Sequence, residues 1–136
     1  MSEATGEAVV VRHRDEANEQ FPNPAHGRLK WRTLLSKGLT ASDSLTCGIT
    51  VLQPGDWLAP HRHKPAEVYF MLEGRGIVTL GDEEVPAAAG DTIFIPGMLR
   101  HGVRQAGDAT LKLFYVFGVD AFEDLEYLFP DEADGA

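Results

Sequence analysis

Turn signals cut this chain into pieces that suit short β-strands and little else. Gln53-Pro-Gly-Asp56, Glu73-Gly-Arg-Gly76, Gly81-Asp82, Ala89-Gly-Asp91 and Pro96-Gly97 punctuate it, the last four about eight residues apart. Proline presets the backbone of a tight turn and glycine accepts the positive φ such turns demand. Between the turns lie strand-like runs at Leu45–Leu52, Glu67–Leu72, Ile77–Leu80, Thr92–Ile95 and His101–Gln105. Upstream, Trp31, Thr33 and Leu35 alternate with Lys30, Arg32 and Leu34, the pattern of a half-buried strand. Leu111–Phe117 is the most apolar run, which places it centrally in a sheet. The pattern predicts an all-β sandwich or barrel. Only Ala121 to Leu128 has helical spacing, with Phe122, Leu125 and Leu128 on one face, so a short C-terminal helix is expected there.

The 136 residues suit one domain that can bury a core without disulfides. Residues 1–28 read as an N-terminal extension in which Val9–Val11 supplies an edge strand, 29–120 as the barrel, and 121–136 as the helix and an acidic tail. With 12 basic and 21 acidic residues the formal charge is −9, which opposes nucleic acid and anionic membrane surfaces as partners. The single cysteine, Cys47, can form neither an internal disulfide nor a Cys-rich zinc site, and its place in a strand suits a small buried apolar residue. The first eight residues have no basic and apolar leader pattern, and no apolar run is long enough to span a bilayer, so a cytoplasmic protein is expected.

The chemistry concentrates in one stretch. His61 and His63 flank Arg62, and Glu67 follows four residues later. In an extended chain, residues of equal parity share a face, so His61, His63, Glu67, Tyr69 and Met71 point together if the Lys64-Pro65 turn preserves the register. Two neutral imidazoles and a carboxylate on one inward face outline a site for a divalent transition ion: Fe, Mn, Co, Ni, Cu or Zn. His101, directly after a strand stopped by proline, supplies a fourth ligand if its strand lies alongside. Four protein ligands on a six-coordinate ion leave positions open for a substrate. His13 and His26 fall outside this set and read as surface residues.

The run from Gly55 to Gly74 fits G-x5-H-x-H-x3-E-x6-G throughout, and here the sequence resembles the cupin superfamily. Gly90, Pro96 and His101 match that family's second motif. Met98 stands where the motif has glycine, with Gly97 one place early, and Gln105 stands where it has asparagine. The resemblance covers about residues 45–117. It implies a single-domain, jelly-roll-like barrel (a double-stranded β-helix) holding one metal on His61, His63, Glu67 and His101, and a homodimer. Pro65-Ala-Glu-Val-Tyr-Phe-Met-Leu-Glu-Gly-Arg-Gly76 is similar to the matching segment of the cupin-type dimethylsulfoniopropionate lyases. That likeness implies a β-elimination in which Tyr69 stands beside the metal.

From the residues alone, Tyr69 is open to three readings: general base, weak ligand or wall aromatic. Trp57, Phe94, Tyr115 and Phe117 are candidates to line or fill the barrel. Arg62, Arg100 and Arg104 stand near the ligands in sequence, where an inward guanidinium could fork a carboxylate. Trp57, Phe94, Arg104 and Tyr115 are taken as the substrate-binding set. The function expected is a metal-dependent enzyme acting on a small carboxylate-bearing molecule, with a lyase first. A non-haem Fe(II) dioxygenase and a non-catalytic binding or sensor protein are the alternatives.

Overall fold

The computed structural model describes residues 6–13 and 16–130. The acidic tail expected after Pro130 lies outside the described residues. Among the described residues ten strands carry the fold: β1 (Gly27–Arg28), β2 (Lys30–Leu35), β3 (Thr46–Leu52), β4 (Trp57–His61), β5 (Glu67–Glu73), β6 (Arg75–Leu80), β7 (Glu83–Ala88), β8 (Thr92–Ile95), β9 (His101–Gln105) and β10 (Leu111–Phe117). They form two antiparallel five-stranded sheets, β1-β4-β9-β6-β7 and β2-β3-β10-β5-β8. The chain changes sheet at most of its turns, so the two sheets close around a shared interior in jelly-roll fashion. Among the described residues, no helix is long and apolar enough to cross a membrane.

β10 lies between β3 and β5, as its apolar composition predicts. Its alternate residues Leu111, Leu113, Tyr115 and Phe117 are each at most 4% exposed, and burying each side chain contributes roughly 1.5–3 kcal/mol. Opposite Tyr115 in the ladder stands Gly48. A Cβ there would collide with the Tyr115 hydroxyl and the Arg32 carbonyl, so the missing side chain makes room for the tyrosine ring.

Two sequence expectations need correction. The helix expected over 121–128 is a single 3-10 turn, Phe122–Asp124. Beyond it the chain runs extended, because Leu128 exchanges two backbone hydrogen bonds with Arg62, at 2.8 and 3.0 Å. Tyr127 and Phe129 then alternate to one side of Leu128, and the three-residue apolar spacing has no helix to act on. Val9–Val11 joins neither sheet within this chain. β7 escapes a reading of hydrophobic alternation because it is a polar edge strand, where Pro86 costs no ladder bond.

Candidate metal centre

Four side chains from four places meet at one end of the barrel. His61 ends β4 and faces His101, the first residue of β9, across their ladder. Their ring centroids are 4.4 Å apart. His63 lies in the link that crosses to the opposite sheet, and Glu67 opens β5 there. The link breaks the strand, yet it returns the chain in register, so His61, His63, Glu67, Tyr69 and Met71 are all buried. Cys47 is buried too, and burial pushes its thiol up. The link is held by the turn before β9. Met98 donates its amide to the His63 carbonyl at 2.8 Å, and Gly97 packs so closely on the Lys64 carbonyl that a Cβ would not fit.

Each imidazole is oriented by a backbone carbonyl. Nδ1 of His61 meets Ala59 O at 2.8 Å, that of His63 meets Pro65 O at 2.9 Å, and that of His101 meets Leu99 O at 2.8 Å. A carbonyl oxygen can only accept, so each Nδ1 carries the proton and each Nε2 presents a lone pair. Such second hydrogen bonds fix tautomer and ring direction at metal sites. The histidine donor atoms lie within 4.8 Å of one another. Glu67 Oε1 stands 3.1 Å from His101 Nε2 and 3.2 Å from His63 Nε2.

That donor set fits a divalent cation. With Nδ1 protonated, the carboxylate oxygen and the Nε2 lone pairs face each other with no proton between them, an arrangement a shared positive ion satisfies. Bonds of about 2.0–2.2 Å to such an ion put neighbouring donors about 3 Å apart, close to the spacing Glu67 keeps from two of the histidines. Burial first, and the neighbouring His101 second, hold the His61 imidazole well below its ordinary range and keep it neutral, as a ligand must be.

Beside these donors lies a cavity of about 30 Å³, room for about two waters. His61 and Glu67 reach it, and aromatic rings form much of the rest: Phe21, Trp31, Tyr69, Tyr115, Phe117, Phe122 and Tyr127. No arginine or lysine lines it among the described residues. Burial, and then the Glu67 charge, push the Tyr69 phenol well above its usual range. Burial pushes Tyr115 up as well; its hydroxyl lies 3.4 Å from Thr33 Oγ1.

Three residues read from the sequence as substrate-binding lie elsewhere. Phe94 precedes the fully buried Ile95, so strand alternation turns it outward, and it is 66% exposed. Arg104 follows inward-facing Val103 for the same reason and pairs with Glu84 on the surface at 2.9 Å. Trp57, opposite Arg104 on the same outer face, carries the Arg28 guanidinium 5.3 Å above its ring. Tyr115 lines the cavity.

Tyr127 and Phe129 went unread. The Arg62–Leu128 hydrogen bonds lay their segment along the link between the two histidines, so both rings close over the site. Tyr127 is 5.0 Å from the His61 ring and 5.6 Å from that of His63. Phe129 stacks on His26 at 3.7 Å and lies 5.3 Å from His61, so His26 is part of the closure rather than an isolated surface residue. The available signal was alternation: Leu125, Tyr127 and Phe129 have strand parity.

Residues 48–117 match the Cupin domain family. The chain is 40% identical over 111 residues to dimethylsulfoniopropionate lyase DddW of Ruegeria pomeroyi, covering 82% of this chain and 72% of that protein. It is 33% identical over 97 residues to a gentisate 1,2-dioxygenase of a Ralstonia species, covering 71% of this chain but only 25% of that enzyme. A crystal structure from Thermotoga maritima, described as a predicted oxalate decarboxylase, superposes with a TM-score of 0.70 at 25% identity, covering 82% of this chain and 99% of that one. Two closed sheets, three convergent buried histidines and these likenesses lead to one conclusion: the chain belongs to the cupin family.

Proposed function

We propose that this protein is a metal-dependent lyase that splits dimethylsulfoniopropionate into dimethyl sulfide and acrylate. The observation that carries the reading is the wall of the cavity. A carboxylate has the metal donors at one end, and a sulfonium has aromatic faces around it, which attract a cation through the ring quadrupole. The 40% identity to a lyase of this substrate supports the same reading.

His61, His63, Glu67 and His101 would hold one divalent transition ion. That ion, when bound, supplies a Lewis-acid contact for the substrate carboxylate and a positive charge that counters the upward push of Glu67 on Tyr69. With that charge in place Tyr69 gives its own proton to water, and the resulting phenolate takes the α-proton on its oxygen. The electron pair of that C–H bond forms the Cα–Cβ double bond, and the Cβ–S bond breaks with its pair leaving on sulfur. The products are acrylate and neutral dimethyl sulfide. The substrate is several times larger than two waters, so the segment of Tyr127 and Phe129, which belongs to neither sheet, moves to admit it.

The test is turnover of dimethylsulfoniopropionate by metal-loaded protein in a sealed, oxygen-free vial. Equal amounts of dimethyl sulfide in the headspace and acrylate in solution are expected. The Ralstonia dioxygenase favours a second reading, oxidation of a small aromatic acid. Failure of the sulfonium substrate, with oxygen uptake on gentisate, would establish that reading instead.

A further inference from the structure

One row of the β2-β3-β10-β5 ladder runs from the cavity to the edge of its sheet. Tyr69 stands opposite Tyr115, Tyr115 opposite Gly48, and Gly48 opposite Thr33. Gly48 carries no side chain, so the Tyr115 ring lies across it and brings its hydroxyl within 3.4 Å of Thr33 Oγ1. β2 is the edge strand, and Glu19 continues the row beyond it. The Glu19 backbone exchanges two hydrogen bonds with that of Trp31, at 2.9 and 3.0 Å. Its carboxylate accepts the Thr33 amide on one oxygen and the Thr33 hydroxyl, at 2.9 Å, on the other.

The direction of this chain follows from its donors. Thr33 has one hydroxyl proton and gives it to a carboxylate, which can only accept. The Thr33 oxygen therefore accepts from the Tyr115 O–H. Tyr115 lines the cavity, Thr33 is buried and Glu19 is half-buried, so the chain leads from the cavity to water.

We propose that Tyr115, Thr33 and Glu19 form the route by which protons leave the closed site, with Glu19 at its outer end. This rests on the lyase reading, in which a zwitterion becomes a neutral sulfide and an acrylate anion, so every turnover frees one proton. Among the described residues, Glu67 is the one carboxylate that lines the cavity, and it belongs to the metal donors. The rings of Tyr127 and Phe129 close the site, so the proton crosses the wall. A proton on cavity water binds the Tyr115 oxygen as the Tyr115 proton passes to Thr33 Oγ1, and the Thr33 proton passes to Glu19 Oε1. Each hydroxyl oxygen gains one O–H bond as it loses another. Tyr115 thus never becomes a phenolate, which its burial disfavours. Glu19 ends as a carboxylic acid and gives the proton to bulk water, and the two hydroxyls rotate back.

Glu19→Gln, Thr33→Val and Tyr115→Phe each break the chain and keep the shape of the side chain. Metal-loaded protein in excess over dimethylsulfoniopropionate reports the first turnover, and excess substrate reports the steady state, both read as acrylate. Each variant should keep the wild-type rate of the first turnover and lose about 10-fold in the steady state. The triple variant should be no slower than the singles, because the three act as one unit. An unchanged steady state, both phases slowed alike, or losses that multiply would overturn the proposal. Should Glu19→Gln or Thr33→Val fail to fold, Tyr115→Phe decides alone, since it removes one oxygen and keeps the ring; a wild-type steady state in that variant would overturn the outlet. Dimethyl sulfide from the wild type with no such split in the variants would sink the outlet and leave the lyase reading intact. No dimethyl sulfide from the wild type would overturn both.

Discussion

Met98 donates its amide to the carbonyl of His63 at 2.8 Å, and it holds φ at +65° to do so. This is the turn where the family motif has glycine. A side chain in the left-handed region costs about 1–2 kcal/mol, part of which glycine's greater unfolded-state freedom cancels. Met98 is 43% exposed, so its side chain returns little through packing. Met98→Gly should stabilise the protein by about 0.5–1 kcal/mol, read as a melting temperature raised by about 2–4 °C with metal content unchanged. A lower melting temperature would show that the methionine side chain holds the turn by contacts.

Phe129 is 2% exposed and covers the His61 side of the centre. Phe129→Ala removes that ring and its stack on His26, and should cost about 3–4 kcal/mol in urea unfolding. The four metal donors stay in place, so metal content should hold. Unchanged stability would mean the segment contributes nothing to closure.

In the metal-free protein His61 is held neutral, its pKa depressed by burial and by His101. Unfolding returns it to the ordinary value of about 6.5. Between the depressed value and about 6.5 the unfolded chain binds the extra proton, so stability rises with pH through that window and is lost as pH falls through it. The slope is at most about 1.4 kcal/mol per pH unit for one such group. Urea midpoints of metal-free protein should fall between pH 7.5 and pH 5.5 (about the span of this titration), and His61→Gln should flatten the change. An equal slope in the variant would assign the effect to other groups.

Tyr69 and Tyr127 are the two phenols nearest the metal donors with pKa values raised by burial. Tyr69 sits on a strand, two residues from Glu67, and Tyr127 on the closing segment. Tyr69→Phe should lower turnover by about 10²–10⁴-fold while metal stays bound. Tyr127→Phe keeps the ring that closes the cavity, and should cost less than about 10-fold. The opposite order would move the proton transfer to Tyr127.

The convergence of His61, His63, Glu67 and His101 was legible because it is encoded locally: two histidines and a glutamate lie within seven positions, and the last histidine opens the strand that follows the Pro96-Gly97 turn. β10 was legible because seven consecutive apolar or alternating residues suit only a central strand. The cavity wall was not. Trp57, Phe94 and Arg104 have the right chemistry, but one position of strand parity turns each outward, and parity depends on bulges such as those in the β4–β9 ladder. Tyr127 and Phe129 depend on two long-range hydrogen bonds to Arg62, which no local pattern announces. Apolar spacing that reads as a helical face reads equally as extended chain when a partner backbone is present.

The centre itself is tested by metal analysis of wild type beside His61→Ala, His63→Ala, His101→Ala and Glu67→Gln, all purified without chelator. About one equivalent of a divalent transition ion per wild-type chain is expected, with less than about a tenth of it in each histidine variant and a 10- to 100-fold weaker affinity in Glu67→Gln. A full equivalent retained in all three alanine variants would contradict the account.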